Sequence, residues 1–493
     1  MRAPPRTTIA PARRCAYTVL RRVFEQGAYA EAALRAEASE LDGRDRALAM
    51  RLSYGAVQRK GTLDHLIALL AGRAVTRLDA PVLAALRMGM YELLYLDGSP
   101  DYAVVADAVQ LAKEQARAGH GLVNAVLRRA VREGPAALLA PLSDATPEQA
   151  AIKHSHPAWI ARLWWRELGA AQARALMARD NEPGEMALRA NALVIDAPAL
   201  AARLADEHEH LPGGRDPARG REHADEVSWS LDPLIPEAVV VEGRFDVHGS
   251  PLWREGAFVA QSRAAMLVAR ALAPAAGERV LDLCAAPGGK TTHLAALMEG
   301  RGEVVAVERN RSRAEALAHT ARRLHAENVR VEVGDAAAAR PPEPAFDRVL
   351  VDPPCSGLGT LQARADLRWR VTPSAAAQMA RAQATILAAG AGALRPGGVL
   401  VYSTCTISAN ENEHVIASFL DSHRDFRLDD LAAELSAFAM PSSGPPAEPG
   451  PSDRSAPATA ASAPSPSRAP GPVLTLPHRD RTAGFFIARL RKA

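Results

Sequence analysis

The chain has 493 residues, too many for one ordinary hydrophobic core, and a length of this order predicts about three domains. Hydrophobic residues at 48% and charged residues at 23% exclude a mainly disordered or fibrous protein, and a net charge of +3 allows nucleic-acid contacts only through local patches. Four widely spaced cysteines (Cys15, Cys284, Cys355 and Cys405), without a CxxC pair, exclude a disulfide scaffold and a structural zinc site, and no apolar run is long enough for a membrane span.

The first 24 residues are rich in arginine and free of acids, which resembles a transit peptide in composition only. They run into helical periodicity at Cys15, Ala16, Val19, Leu20, Val23 and Phe24, ending at Gly27, so a cytoplasmic protein with reduced thiols is expected. Residues 1–140 read as helical throughout. Apolar residues three and four apart recur in Arg46–Val57, Leu63–Leu70, Val82–Leu96, Ala103–Leu111 and Val123–Val131, and Asp79 before Pro81 marks a helix start. Arginines are dense here (Arg13, Arg14, Arg21, Arg22, Arg128, Arg129), a pattern read first as solvated helix faces and second as RNA contacts.

From His156 to Asn191 the pattern predicts helix, with Trp159, Leu163, Trp164 and Leu168 on one buried face. Residues 150–260 are expected to form a small α+β segment, with strands at Ala238–Val241 and Phe258–Ala260 and a polar loop over Leu211–Ala224. His208, His210 and His223 in and beside that loop lack the spacing of a metal site, and no metal is expected. From Arg279 strands and helices alternate: Val280–Leu283, Val304–Val307, Val329–Val333, Phe346–Val351 and Gly398–Tyr402 are apolar runs of parallel-strand length. The rhythm predicts a doubly wound α/β sheet over 261–493. It is interrupted at 441–472 by a Pro/Ala/Ser/Gly-rich insertion with too few apolar residues for a core, read as disordered, and resumes as a strand at Gly484–Leu490.

Ligand sites in such sheets lie beyond the carboxyl ends of the strands. Asp352-Pro353-Pro354-Cys355 and Ser403-Thr404-Cys405-Thr406 place a thiol just past each of two strands, where it can reach a substrate instead of packing as a small hydrophobe. Cys284-Ala285-Ala286-Pro287-Gly288-Gly289-Lys290 joins the first strand to its helix, and its small residues let a cofactor approach the backbone and the helix N-terminus. A nucleotide-triphosphate loop is the alternative suggested by Gly289-Lys290-Thr291, but its spacing demands glycine where Cys284 stands. Glu308 and Asp335 end the next two strands. Carboxylates there suit the hydroxyls and base of a neutral adenosine better than a pyrophosphate, and predict S-adenosyl-L-methionine.

These segments resemble the RNA 5-methylcytosine methyltransferases: the loop Cys284–Lys290, Asp352–Gly357, and Ser403-Thr404-Cys405 followed by Asn410-Glu411-Asn412-Glu413. Arg44–Ala47, Leu86–Tyr91 and Val123–Arg129 resemble the NusB-like domain fused to the bacterial 16S ribosomal RNA enzymes of the RsmB (Sun) type. Leu188–Asn191 resembles their pre-catalytic segment and Gly484-Phe485-Phe486 their closing strand. The resemblance covers nearly the whole chain. It implies an all-α NusB-like RNA-binding domain (1–140), a small α+β pre-catalytic domain (150–260) and a Rossmann-like class I methyltransferase domain (261–493), acting on carbon 5 of a cytosine in 16S ribosomal RNA.

The residues alone leave the roles of the two thiols exchangeable. The resemblance assigns attack on carbon 6 to Cys405, help in product release to Cys355, and stabilisation of the base to Asp352, with Cys284–Lys290, Glu308, Asp335 and Asp352 around the cofactor. Naked or early-assembly RNA is the expected partner, for a monomer away from any membrane. Two departures stand out. Gln362-Ala363 occupies a position where relatives often carry arginines, and Gln261-Ser262 stands where they often have Gln-Asp, which leaves Ser262 without a role. An RNA-binding antitermination-like factor with an inert catalytic half is the competing reading.

Overall fold

The computed structural model describes residues 9–116, 118–210, 227–338, 346–438 and 471–493. In chain order the helices α1 (Pro11–Glu25), α2 (Ala30–Glu37), α3 (Gly43–Gln58), α4 (Lys60–Ala71), α5 (Ala80–Tyr95), α6 (Asp101–Gln115), α7 (His120–Leu139), α8 (Pro147–Lys153), α9 (Ala158–Leu168) and α10 (Ala170–Arg179) come first. Then follow β1 (Met186–Ala190), α11 (Ala197–His210), β2 (Ser228–Leu231), β3 (Ala238–Glu242), α12 (Pro251–Arg254), β4 (Phe258–Ala260) and α13 (Arg263–Leu272). The alternating half comprises β5 (Arg279–Leu283), α14 (Gly289–Leu297), β6 (Glu303–Glu308), α15 (Arg311–Arg323), β7 (Val329–Val333), β8 (Phe346–Val351), α16 (Leu367–Arg370), α17 (Pro373–Ala393) and β9 (Leu394–Thr404). It closes with α18 (Glu413–Ser422), β10 (Phe426–Leu428), α19 (Leu431–Glu434), β11 (Val473–Leu474), α20 (Pro477–Asp480) and β12 (Phe486–Lys492).

Two compact units divide the chain: Met1–Pro183 with Leu361–Val371, and Gly184–Thr360 with Thr372–Ala493. The first is all helical. Its core takes Leu20 from α1, Leu52 from α3, Leu66 from α4, Leu86 from α5 and Leu127 from α7, the apolar positions spaced three and four apart in the sequence. Arg13 is buried in it and is matched by two acids, donating to Glu92 at 2.7 Å and to Asp107 at 2.9 Å. Residues 150–183, which the sequence reading joined to the α+β segment, fall in this unit because α8 and its loop are bonded to α4: Thr62 Oγ1 donates to the Ile152 carbonyl at 2.6 Å, and Ser155 Oγ accepts from Gly61 N at 2.8 Å. Leu361–Val371 is anchored among the same residues, with buried Arg368 donating to the carbonyls of Ser155 (3.0 Å) and Asp180 (3.1 Å).

One expectation is corrected. The helix predicted to run to Asn191 stops before Pro183-Gly184, and Met186–Ala190 is a strand. β1 lies inside an antiparallel sheet of order β2-β3-β1-β4, where Ala187–Ala190 are all buried, so the alternation that identifies a half-exposed strand is missing. Trp164 is buried and Trp159 half-buried, as that helix face predicts in part.

The second sheet has the order β10-β12-β9-β8-β5-β6-β7, with β11 beside β12. Strands β7, β6, β5, β8 and β9 are parallel, whereas β12 pairs with β9 and β10 in antiparallel fashion. The chain moves outward from β5 to β7, then returns to the other side of β5 with β8. The topological switch point therefore falls between β5 and β8, where a ligand crevice is expected. The 441–472 insertion lies almost wholly outside the described residues, as do Leu211–Ala224 and His223; described residues resume at Gly471.

Candidate active site

Register places the chemistry. Leu283 pairs with Val351, and Val351 with Tyr402, so β5 and β8 end beside the last residues of β9 and bring Cys284, Asp352 and Ser403 to one edge. The turn after β5 needs unusual backbone. Cys284 has φ +65 and Gly288 φ +101, and a Cβ on Gly288 would lie 2.4 Å from Leu317 Cδ1, so glycine is required where the loop meets α14. Burial, reinforced by Asp352, Asp282 and Glu308, pushes the Cys284 thiol up to about 12, which disfavours its thiolate.

Glu308 ends β6, largely buried. It accepts from Asn310 N at 2.8 Å and lies 3.6 Å from Arg313, whose guanidinium also donates to the Ala286 carbonyl at 2.9 Å. Asp335 is exposed just past β7 and accepts from Ala337 N at 3.0 Å. Asp282 is buried in β5. It accepts from Thr291 Oγ1 at 2.6 Å, and burial raises its pKa to about 7.

At the end of β8, Asp352 accepts from Lys290 Nζ at 2.6 Å and from Ser403 Oγ at 2.9 Å. The Lys290 ammonium also lies 4.9 Å from the centre of the Phe485 ring, a cation–π distance. Burial opposes its charge, but Asp352 and Cys405 outweigh that and hold its pKa above the ordinary value. Cys355 Sγ and Cys405 Sγ are 3.3 Å apart. The hydrogen bond with Cys405, then burial, raise the Cys355 pKa well above that of a free thiol. The structure thus brings Cys355, Cys405, Asp352 and Lys290 into one cluster, with Cys284 near enough for its thiol to feel the Asp352 charge.

Several residues without an expected role appear around this cluster. Ser262 is the N-cap of α13, accepting from Ala265 N at 3.3 Å, and Gln261 places its amide beside Gly289 with a buried Oε1 that has no partner. Gly359 and Gly484 pack backbone to backbone, with Gly484 N donating to Gly359 O at 2.7 Å and Gly359 N to Cys405 O at 3.0 Å. Gln362, in the first unit, donates its amide to the Arg179 carbonyl at 3.0 Å. Among the described residues no group of three or more His, Cys, Asp or Glu is arranged to hold a metal ion, and no helix is long and apolar enough to cross a membrane.

Sequence comparison supplies the family. The pattern of the 16S rRNA methyltransferase RsmB/F family matches residues 269–491, and that of the NusB family matches residues 10–132. A probable ribosomal RNA small subunit methyltransferase B from Synechocystis is 33% identical over 491 residues, 98% of this chain and 99% of that protein. The chain belongs to the RsmB/F methyltransferase family. A second relative, a probable ribosomal RNA small subunit methyltransferase B from Bacillus subtilis, is 31% identical over 92% of each chain. The crystal structure of PH0851 matches over 100% of both chains with a TM-score of 0.74 at 24% identity, which supports the fold. Membership makes this an S-adenosyl-L-methionine-dependent methyltransferase of ribosomal RNA with a NusB-like helical domain. The residues present fit that cofactor: a loop of small residues leading into α14, an unpartnered buried Gln261 oxygen beside Gly289, and carboxylates ending β6 and following β7.

Proposed function

We propose that this enzyme methylates carbon 5 of a cytosine in 16S ribosomal RNA through a transient bond between Cys405 and carbon 6. The observation that carries the reading is the pair of thiols 3.3 Å apart beside a lysine-bound aspartate, at the ends of neighbouring strands. Carbon 5 of cytosine is a poor nucleophile, and a two-thiol site suits its activation by thiolate addition. Cys284–Lys290, Glu308, Asp335 and Asp352 would hold the cofactor. When bound, S-adenosyl-L-methionine supplies an electrophilic methyl group.

Cys405 faces the Lys290 ammonium, whose charge favours the thiolate. That thiolate adds to carbon 6, and the electron pair of the 5,6 double bond moves to make carbon 5 an enamine nucleophile. Asp352 uses one lone pair on each oxygen for Lys290 and Ser403, which leaves acceptor capacity for the exocyclic amine or a protonated ring nitrogen 3. After methyl transfer the carbon 5 proton must leave. Once Cys405 is bonded to carbon 6 it no longer carries the charge that raises the Cys355 pKa, so Cys355 loses its own proton to water and, as a thiolate beside the adduct sulfur, takes the carbon 5 proton; the electron pair left at carbon 5 reforms the 5,6 double bond and expels Cys405. A base unstacked from its neighbours is needed for this access, which favours a looped or flexible RNA, naked or in early assembly. The helical unit, with its dense arginines, serves as an RNA-docking surface. Thiols unbridged by a disulfide at the site suit the reducing cytoplasm, and one chain carries all the residues proposed for the site.

The test separates the thiols. Cys405→Ala should abolish methyl transfer to ribosomal RNA while cofactor and RNA still bind. Cys355→Ala should accumulate a protein–RNA adduct that survives denaturing electrophoresis, since methylation proceeds and elimination does not. An adduct from Cys405→Ala and none from Cys355→Ala would reverse the assignment. Bisulfite mapping of ribosomal RNA from a deletion strain locates the cytosine, and an unchanged map would sink the reading.

A further inference from the structure

Asn410-Glu411-Asn412-Glu413 follows Cys405 in the sequence, and none of the roles described so far uses it. Glu411 is fully buried and Asn412 nearly so. Glu411 Oε1 accepts from Ser356 N at 2.8 Å and from Gln383 Nε2 at 3.0 Å, and Oε2 accepts from Ser356 Oγ. Gln383 also donates to the Pro354 carbonyl at 2.9 Å, so both neighbours of Cys355 are held. Asn412 does the same for Cys405: its Oδ1 accepts from Thr404 Oγ1 at 2.5 Å and its Nδ2 donates to the Thr406 carbonyl at 3.0 Å. Ser356 Oγ and Thr406 Oγ1 join the two loops at 2.6 Å, and Tyr402 closes the network by donating to the Glu411 carbonyl at 2.6 Å.

A carboxylate costs free energy to bury, and among the described residues Glu411 has no salt bridge to offset that cost. It is held by neutral donors, so its charge is not cancelled where it stands. Lysine, by contrast, is on the Cys405 side, where Lys290 responds to that thiol. We propose that Glu411 is a positioning residue that locks the Cys355 loop against the Cys405 loop and keeps a fixed negative charge behind Cys355, so that the proton shared by the two thiols rests on Cys355 and Cys405 is left as the nucleophile. This rests on the covalent mechanism proposed above. The other titratable groups acting on Cys355 are Cys405 and Tyr402, the Tyr402 phenol staying neutral because burial raises its pKa, while a backbone hydrogen bond at Gly357 acts on the Cys355 thiol in the opposite sense. Glu411 acts on Cys355 by charge in the same direction as burial and the Cys405 contact, which are the larger causes.

The experiment alkylates the full-length protein with iodoacetamide across pH 6 to 10, without RNA or cofactor, and maps each cysteine by mass spectrometry. In the unsubstituted protein Cys405 should react at lower pH than Cys355. Glu411→Gln keeps the shape and removes the charge, so Cys355 should become reactive about one pH unit lower, about tenfold faster at fixed pH below its titration. Glu411→Asp keeps the charge and should restore the original order. A purely structural role would leave the Cys355 profile where it was, and that result in a folded Glu411→Gln protein overturns the proposal. Should Glu411→Gln fail to fold, the unsubstituted profile decides: Cys355 reacting ahead of Cys405 overturns it equally. The expected profiles together with no cytosine-5 methylation of RNA would sink the proposed function and leave the clamp standing.

Discussion

Gly359→Ala tests whether the backbone crossing behind the thiols is as tight as the geometry requires. A Cβ at 359 would lie 2.0 Å from Gly484 O and 2.6 Å from its carbonyl carbon, and the obstacle is main chain with no rotamer to swing away. The two segments must separate, which strains or breaks Gly484 N to Gly359 O (2.7 Å) and Gly359 N to Cys405 O (3.0 Å). Two lost hydrogen bonds at about 1 kcal/mol each, with about 1–3 kcal/mol for overpacking, give roughly 3–5 kcal/mol. At about 2 °C per kcal/mol for a domain of this size, the unit carrying the site should melt roughly 6–10 °C lower by differential scanning calorimetry. Since Gly359 N holds the Cys405 carbonyl and Phe485 follows Gly484 against Lys290, methyl transfer to ribosomal RNA should fall with it, even well below the melting temperature. Gly392→Ala is the control, exposed in α17 with nothing within 4 Å of its Cβ, and should be neutral or slightly stabilising. A Gly359→Ala protein with unchanged melting and turnover would refute the reasoning.

Asp282 carries a pH prediction. Its folded pKa of about 7 stands above the ordinary 3.8, so its contribution is most favourable below pH 4 and is lost as pH rises through 7. Asp282→Asn has no such loss, and its stability relative to the unsubstituted protein, from urea unfolding, should be greater at pH 8 than at pH 5; an equal difference at both would contradict it. In the helical unit, Glu92→Ala leaves the buried Arg13 with only Asp107 as carboxylate partner and should cost about 3 kcal/mol in urea unfolding. A loss under 1 kcal/mol would mean Arg13 finds a new partner or water.

What was legible in the sequence is what local chemistry dictates. Helical periodicity marked α1, α3, α5 and α7, and long apolar runs marked β5, β6, β8 and β9, because each of these elements buries a continuous face or is buried on both. β1 was read as helix because it is buried on both sides and carries no alternation, and the affiliation of residues 150–183 depends on hydrogen bonds from Thr62 and Gly61 that no local pattern announces. The thiols and Asp352 were recognisable by their place after strands. Lys290 was visible only as part of a loop, since its partner lies 62 residues away, across the switch point. Ser262 was given no role because relatives differ there; serine caps α13 without needing the aspartate's charge.

The arrangement of charge explains why one sheet edge can hold two unlike cysteines. Both thiols leave parallel neighbours, so backbone geometry alone makes them near equivalents, and the 3.3 Å separation allows one proton to serve both. In the proposed mechanism equivalence would be unproductive: attack needs a thiolate, and the later step needs a second thiol that keeps its proton until the first has reacted. The asymmetry has to come from outside the two loops. In that proposal it comes from Lys290, delivered on α14 from the cofactor loop, and from Glu411, delivered six residues after Cys405. Binding of cofactor and formation of the thiolate are thereby tied to one segment, since the loop that ends at Lys290 is the one expected to hold the methyl donor. A cation–carboxylate pair at 2.6 Å keeps that lysine from wandering, and the Phe485 ring covers its other side. The segment entering β12 therefore supports the proposed chemistry as well as the sheet: moving it displaces Phe485, then Lys290, and only then Cys405, the proposed nucleophile.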